Sequence, residues 1–259
     1  MSQEVFVCPE ESAFYAQCLH LLLAGHCRTA PVIHEFGSGD GMPMIEAVLR
    51  SCFKGVIHGY EINGASWNHA NSQIRHHQME QRYIVHHISF FNAGEKPCAG
   101  TLVSNPPYLP ACNDSCLYIR GLHGGSDGSM ISRNLLSLDY PTVLLMVSSY
   151  SNPVGLIQYA SEQGYSVDDF LIRPLRFGRY SSQPEVKNRI IELHQENKAF
   201  FSEHYYLLAG VVFQKQNHAD KELSADLTAL MQSLRLKGCE DNMNNGLQTC
   251  VEKHDAPTT

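Results

Sequence analysis

Residues 32–41 read Val-Ile-His-Glu-Phe-Gly-Ser-Gly-Asp-Gly. An apolar run of strand length closes on Glu35, and Gly37, Gly39 and Gly41 then fall at alternate positions before a helix-like stretch begins. Glycine lets the backbone turn sharply and come close to a bound group. In open α/β sheets the binding crevice lies at the carboxyl ends of the strands, where such turns sit. The segment therefore constrains the chain to an architecture in which strand 32–36 passes through a tight turn directly into a helix. Taken alone a Gly-x-Gly-x-Gly turn is a weak signal, because strand-to-helix turns often carry glycine.

The rest of the chain repeats this alternation. Short apolar runs predict strands over Val32–Phe36, Val56–Ile62, Tyr83–Ile88, Thr101–Ser104, Thr142–Ser149, Ser166–Leu175 and Tyr205–Phe213. Between them, helical patterns cover Ser12–Leu23, Pro43–Arg50, Ala65–Gln81, Ser129–Leu138, Val154–Gln163 and Pro184–Phe200. Strands alternating with helices imply a mainly parallel sheet covered on both faces. The last two strands suit a hairpin-like pairing with a helix inserted between them. The predicted fold is thus α/β: a Rossmann-like, mostly parallel seven-stranded sheet with an antiparallel C-terminal strand and helices on both faces.

The length of 259 residues and the 43% hydrophobic content suffice for one sizeable domain. We place it over residues 1–216, with an insertion at about 176–202. From Gln214 the chain turns polar, and 217–259 reads as a flexible tail in which Leu223–Leu236 can form one amphipathic helix. The formal net charge of -7 opposes tight nucleic-acid binding, which depends on neutralising phosphates. Nine scattered cysteines, an odd number, do not form a secreted disulfide framework and fit a reducing, cytoplasmic compartment. Cys112 and Cys116 lack further ligands at metal-site spacing, so no metal is expected. Leu19–Ala24 is too short an apolar run to span a bilayer, and no membrane association is expected.

Two further features carry chemistry. The second predicted strand runs into Glu61, about the distance beyond a glycine turn at which an acid meets ribose hydroxyls. For Glu35 and Glu61 alike, the alternative is a solvated acid at a strand end. After the fourth strand come Asn105-Pro106-Pro107-Tyr108. Two prolines fix two φ angles and remove two donors, and the residue before a proline is pushed out of the helical region. Asn105 is therefore extended and rigid. Its amide oxygen and the Pro106 carbonyl can accept both N–H groups of a planar nitrogen while Tyr108 packs on the flat group. The alternative is a Pro-rich turn closing a strand.

These segments resemble the class I S-adenosylmethionine-dependent methyltransferases, and among them the HemK-type N-methyltransferases that modify release-factor glutamine. Asn105–Tyr108 resembles the family's catalytic motif, and residues 35–41 its cofactor turn. Pro9-Glu10-Glu11-Ser12-Ala13-Phe14 is similar to the Pro-x-Glu-Asp-Thr-Phe segment of the small HemK-like enzymes. Gly124-Gly125-Ser126-Asp127-Gly128 is similar to their Gly-Gly-x-Asp-Gly, with Ser126 or Asp127 as a helix cap. The resemblance covers roughly residues 5–165.

It implies S-adenosyl-L-methionine as cofactor. Glu11, Glu35, Gly37, Gly39, Gly41, Glu61, Ser89, Phe90 and Asn105 would be its contacts, with Glu35 on the amino group, Ser89 at the adenine amine and Phe90 on the adenine ring. Catalysis would fall to Asn105, Pro106 and Tyr108. The implied partner is a methyl acceptor, a protein glutamine or, alternatively, a small molecule of a biosynthetic pathway, and DNA or RNA is not expected; the other alternative is a non-catalytic cofactor-binding module.

The chain also departs from the family. Ala13 stands where threonine is typical, and Ile88-Ser89-Phe90-Phe91 replaces a segment that usually carries an acid. Arg173, Arg176 and Arg179 mark an atypical insertion. His123 and Asp127, near the motif, are open to two readings: catalytic bases, or a loop histidine and a helix cap.

Overall fold

The computed structural model describes residues 5–25, 32–94, 100–217 and 219–234. Its elements are α1 (Pro9–Gly25), β1 (Val32–Phe36), α2 (Met42–Arg50), β2 (Val56–Tyr60), α3 (Gly64–His76), β3 (Tyr83–His86), β4 (Thr101–Ser104), α4 (Met130–Leu136), β5 (Thr142–Ser148), α5 (Pro153–Glu162), β6 (Tyr165–Arg176), α6 (Pro184–Gln195), β7 (Tyr205–Lys215) and α7 (Ser224–Met231). The seven strands form one sheet in the order β3-β2-β1-β4-β5-β7-β6. β1 to β5 pair in parallel, and β7 runs antiparallel to both β5 and β6. The sheet predicted from the alternation is present, antiparallel ending included.

Strand residues alternate between two cores, as a pleated sheet buried on both faces requires. Ile33, Val103, Leu144 and Leu208 join the cluster under α1, α2 and α6. Leu102, Val143, Leu145 and Ala209 join the one under α4, α5 and α7. Reversal of strand order between β1 and β4 opens a crevice above their carboxyl ends.

Element ends differ from the periodicity where local chemistry intervenes. α3 stops at His76 rather than Gln81. Gln78 turns left-handed at φ 56, and Met79 N–H returns to the Ile74 carbonyl at 2.9 Å. That is a helix-ending motif which buries Met79. α6 ends the same way: Asn197 has φ 57, and Lys198 N–H bonds the Leu193 carbonyl at 2.8 Å. Residues 177–204 between β6 and β7 carry α6. It packs Val186, Ile190 and Leu193 into the first core.

The expectation of a flexible tail from residue 217 is corrected for 219–234. α7 buries Leu227 and Met231 in the second core. Asp168 accepts the backbone N–H groups of Asp220 and Lys221 at 2.8 and 3.0 Å. Two apolar residues one helical turn apart are enough to dock a short helix, which a compositional reading of a polar stretch misses. Residues 235–259, including Leu236 and the Asn-rich stretch, lie outside the described residues.

Candidate functional site

A cavity of about 790 Å³ opens at the carboxyl ends of the central strands. One half is lined by Phe36, Gly37, Ser38, Gly39, Glu61 and Phe91, the other by Phe6, Asn105, Tyr108, Arg120, Arg176 and Tyr180.

In the first half the glycine turn folds back over β2. Gly37 and Gly39 take φ values of +70° and +57°, and a Cβ on either would meet nothing within 4 Å. A side chain there would be strained by its backbone and would project into open space beside the turn. Glu61 holds this turn in place: one carboxylate oxygen accepts Gly39 N–H at 2.9 Å and the other Asn63 N–H at 2.7 Å. Burial raises the Glu61 carboxyl above its ordinary range, while the donations from Asn63 and Gly39 pull it back. The Ile62 backbone acts in the same sense, so of the carboxylate's four acceptor positions one remains for a further donor. Asn63 also caps α3, accepting Ala65 and Ser66 N–H. Sequence reasoning did not single out Asn63, although an Asn directly before a helical pattern is a capping signal.

Three of the expected cofactor residues take other places. Glu35 lies beneath the turn, 1% exposed and outside the cavity lining, where it accepts the hydroxyls of Tyr15 and Tyr83. Burial pushes its carboxyl up to about 8, against the hydrogen bonds from Tyr83, Tyr15 and Ser38. The reason is strand alternation: Ile33 and Glu35 point to the face covered by α1 and α2, not to the crevice. Gly41 caps α2 and is also absent from the lining. Phe90 borders the cavity but is 2% exposed, wedged edge-on against Phe36 and Tyr60 with ring centroids 5.6 and 5.0 Å apart. The accessible apolar surfaces there belong to its neighbour Phe91, 43% exposed, and to Ile62, 54% exposed. Ser89 lies on the same wall.

The second half is built around Asn105. Its amide nitrogen donates to Glu11 Oε1 at 2.7 Å, and its Oδ1, buried, has no hydrogen-bond partner among the described residues. Glu11, 5% exposed in the first turn of α1, has the Tyr108 hydroxyl and the Cys8 thiol as neighbours. Burial raises the Glu11 carboxyl, and Asn105, Tyr108 and Cys8 oppose the rise by favouring its charged form. The Tyr108 phenol is pushed well up, first by burial and then by the Glu11 charge. Tyr108 lines the cavity at 8% exposure, with its hydroxyl near the Glu11 carboxyl. Pro106 is buried beside it in the same wall.

The loop after the motif is fixed by close backbone approach. A Cβ at Gly124 would lie 2.6 Å from Tyr108 Cα, and one at Gly128 would lie 2.6 Å from the Tyr108 carbonyl oxygen. Ser151 Oγ donates to that same carbonyl at 2.7 Å. Asp127 accepts from Ser129 and Asn152 and lies 3.8 Å from Arg133. Burial would raise its carboxyl, but these partners hold it below the ordinary range. It lies outside the cavity lining, two residues before Ser129, which holds the N-cap position expected of Ser126 or Asp127, and it accepts the Ser129 N–H and hydroxyl. His123 is in the lining, 3.0 Å through Nε2 from the Ala111 carbonyl.

Three segments rim this half. The N-terminal stretch leans on the segment between β6 and β7, with Phe6 and Tyr180 rings 5.3 Å apart and Val7 N–H on the Tyr180 hydroxyl at 3.3 Å. Gln183 accepts Tyr118 N–H at 2.7 Å, joining that segment to the loop after the motif. Among the described residues, Arg120, Arg176 and Arg179 form no ion pair. No group of His, Cys, Asp and Glu among the described residues can hold a metal ion. Among them, no helix is long and apolar enough to cross a membrane.

No family model and no curated protein matches this chain. Solved structures do. A protein from Pyrococcus horikoshii described as a candidate RNA methyltransferase aligns with a TM-score of 0.50 at 13% identity, over 77% of this chain and 82% of its own. Magnesium protoporphyrin IX methyltransferase from Synechocystis, solved with bound S-adenosylmethionine, aligns at 0.49 and 11% identity, over 78% and 79% of the two chains. The Pyrococcus likeness shows that the chain has the Rossmann-like fold of class I methyltransferases.

Proposed function

We propose that this chain is an S-adenosylmethionine-dependent N-methyltransferase acting on a planar amide or amine nitrogen. The observation that carries the reading is the Asn105 amide. Its nitrogen is spent on a buried carboxylate, its oxygen is buried with no hydrogen-bond partner among the described residues, and the residue lines a large cavity.

The other half of that cavity suits a nucleoside. Glu61 offers its remaining acceptor position to a ribose hydroxyl, Gly37 and Gly39 leave open space beside the turn, and Ile62 and Phe91 offer apolar faces to a base. When bound, the cofactor supplies an electrophilic methyl group on a good leaving group, so the protein has mainly to orient the acceptor and exclude water. Asn105 Oδ1 and the Pro106 carbonyl hold the two N–H groups of the acceptor, and Tyr108 packs beside it. No strong base is needed before transfer, because the product can lose its proton afterwards.

Two acceptors fit the motif. The HemK-type resemblance supports a protein glutamine. A small molecule carrying an acid group is favoured by Arg120 and Arg176, which line the acceptor half without a carboxylate partner among the described residues.

The test is methyl transfer from labelled cofactor to a panel: a glutamine-bearing peptide, benzamide, 4-carbamoylbenzoate and a short RNA. Product appears with at least one amide acceptor, and Asn105→Ala lowers turnover per folded molecule 100-fold or more while cofactor affinity stays within about threefold. Because Asn105 also serves Glu11, its loss lowers the melting temperature under either reading, so turnover per folded molecule is the deciding number. Preserved turnover, or transfer only to atoms other than a planar amide or amine nitrogen, contradicts the assignment; transfer to a base amine of RNA alone contradicts both acceptors named above.

A further inference from the structure

Resting on the N-methyltransferase reading, we infer that Glu11 is the positioning residue that sets which way the Asn105 amide faces. Glu11 and Asn105 are 94 positions apart and meet at 2.7 Å. An asparagine amide has two ends of nearly equal size and opposite chemistry: an acceptor oxygen and a donor NH₂. The two prolines after Asn105 fix its backbone but leave the amide able to rotate by a half turn. In one orientation it accepts from a substrate nitrogen. In the other it points donors at donors.

Glu11 removes the ambiguity. An ionised carboxylate can only accept, so it takes Nδ2 and leaves Oδ1, buried and without a partner among the described residues, as the spare acceptor of a residue that lines the cavity. The first turn of α1 favours negative charge at this position. The Tyr108 hydroxyl and the Cys8 thiol lie beside the same carboxylate and favour its charged form. A donation from Asn105 into a buried anion also polarises the amide and makes its oxygen a stronger acceptor. Glu11 is 5% exposed, and the hydrogen bond its side chain accepts comes from Asn105. In place of a cofactor contact, it acts through Asn105.

A donor–acceptor swap tests this. Asn105→Asp sets two carboxylates face to face. Glu11→Gln combined with Asn105→Asp reverses the pair: the glutamine NH₂ donates to one aspartate oxygen, and the other oxygen faces the acceptor. With the wild type and its best panel acceptor as reference, Asn105→Asp loses at least 100-fold in kcat. The double variant recovers to within tenfold, and calorimetry finds cofactor affinity within about threefold in all variants. A merely structural pair would recover melting temperature in the double variant without recovering kcat.

An acceptor-independent arm is NMR of the Asn105 side-chain NH₂. One proton lies strongly downfield in the wild type and returns to the ordinary position in Glu11→Gln. If that signature is absent, or if Glu11→Gln alone weakens cofactor binding tenfold or more, Glu11 does not position Asn105. If the wild type transfers methyl to no acceptor while the NMR signature holds, the parent reading fails and the orienting role of Glu11 stands.

Discussion

Glu61 accepts the backbone N–H of Gly39, 22 positions earlier, at 2.9 Å. One carboxylate thus fastens the glycine turn to the end of β2 and faces the cavity at the same time. Its removal loosens the turn as well as any ligand held beside it.

Glu61→Ala is therefore expected to weaken S-adenosylmethionine and S-adenosylhomocysteine binding by about 1–3 kcal/mol, the scale of hydrogen bonds to a charged group. It also lowers the melting temperature. Calorimetry and thermal melts on the same preparation check both, and unchanged affinity would remove Glu61 from the cofactor site.

Tyr108→Phe removes a hydroxyl that favours the charged form of the buried Glu11 carboxyl. The variant is expected to lose about 1–3 kcal/mol of stability in urea unfolding. Tyr108→Ala, which also leaves a void against Tyr150, loses about 3–5 kcal/mol. Equal stability of Tyr108→Phe and wild type would mean that the hydroxyl contributes nothing.

Glu35, with its carboxyl near 8 in the folded protein against an ordinary 4.5, binds its proton more tightly folded than unfolded. Its contribution to stability is fully present below about pH 4.5 and is lost as pH rises toward 8. Ligand-free protein should thus lose stability across that window, by an amount on the order of a few kcal/mol, and Glu35→Gln should flatten the profile. Denaturant midpoints from pH 5 to 9 measure it; a wild-type profile no steeper than that of the variant would show that Glu35 is ionised throughout.

Leu227→Ala in α7 should cost about 2–5 kcal/mol, the range for a buried leucine truncation. Ending the chain after residue 216 should cost at least as much. A truncated chain as stable as the full one, judged by urea midpoints, would show that the docked helix adds nothing.

The sheet was legible because its strands carry uninterrupted apolar runs and its turns carry glycine and proline. The motif at Asn105 was legible because two prolines leave its backbone few alternatives. The facing of Glu35 was not, since an acid at a strand end can belong to either face and only the arrival of Tyr15 and Tyr83 decides. Phe90 and Phe91 were indistinguishable as adjacent identical residues; one packs edge-on in the core and the other is partly exposed. The Glu11–Asn105 contact joins α1 to the loop after β4, and no local pattern records a pairing over that separation.

The two halves of the cavity come from different stretches of chain. Residues 36–91 build one wall, while the N-terminal segment, the loop after β4 and the excursion between β6 and β7 build the other. That excursion connects β6 to β7, whose pairing is complete without it, and is anchored in the core by Val186, Ile190 and Leu193. Under the proposed reading, changing it while keeping those three anchors alters acceptor preference and leaves the wall built by residues 36–91 intact. A graft of residues 177–204 from another protein of this fold would test whether acceptor preference travels with that short piece of chain.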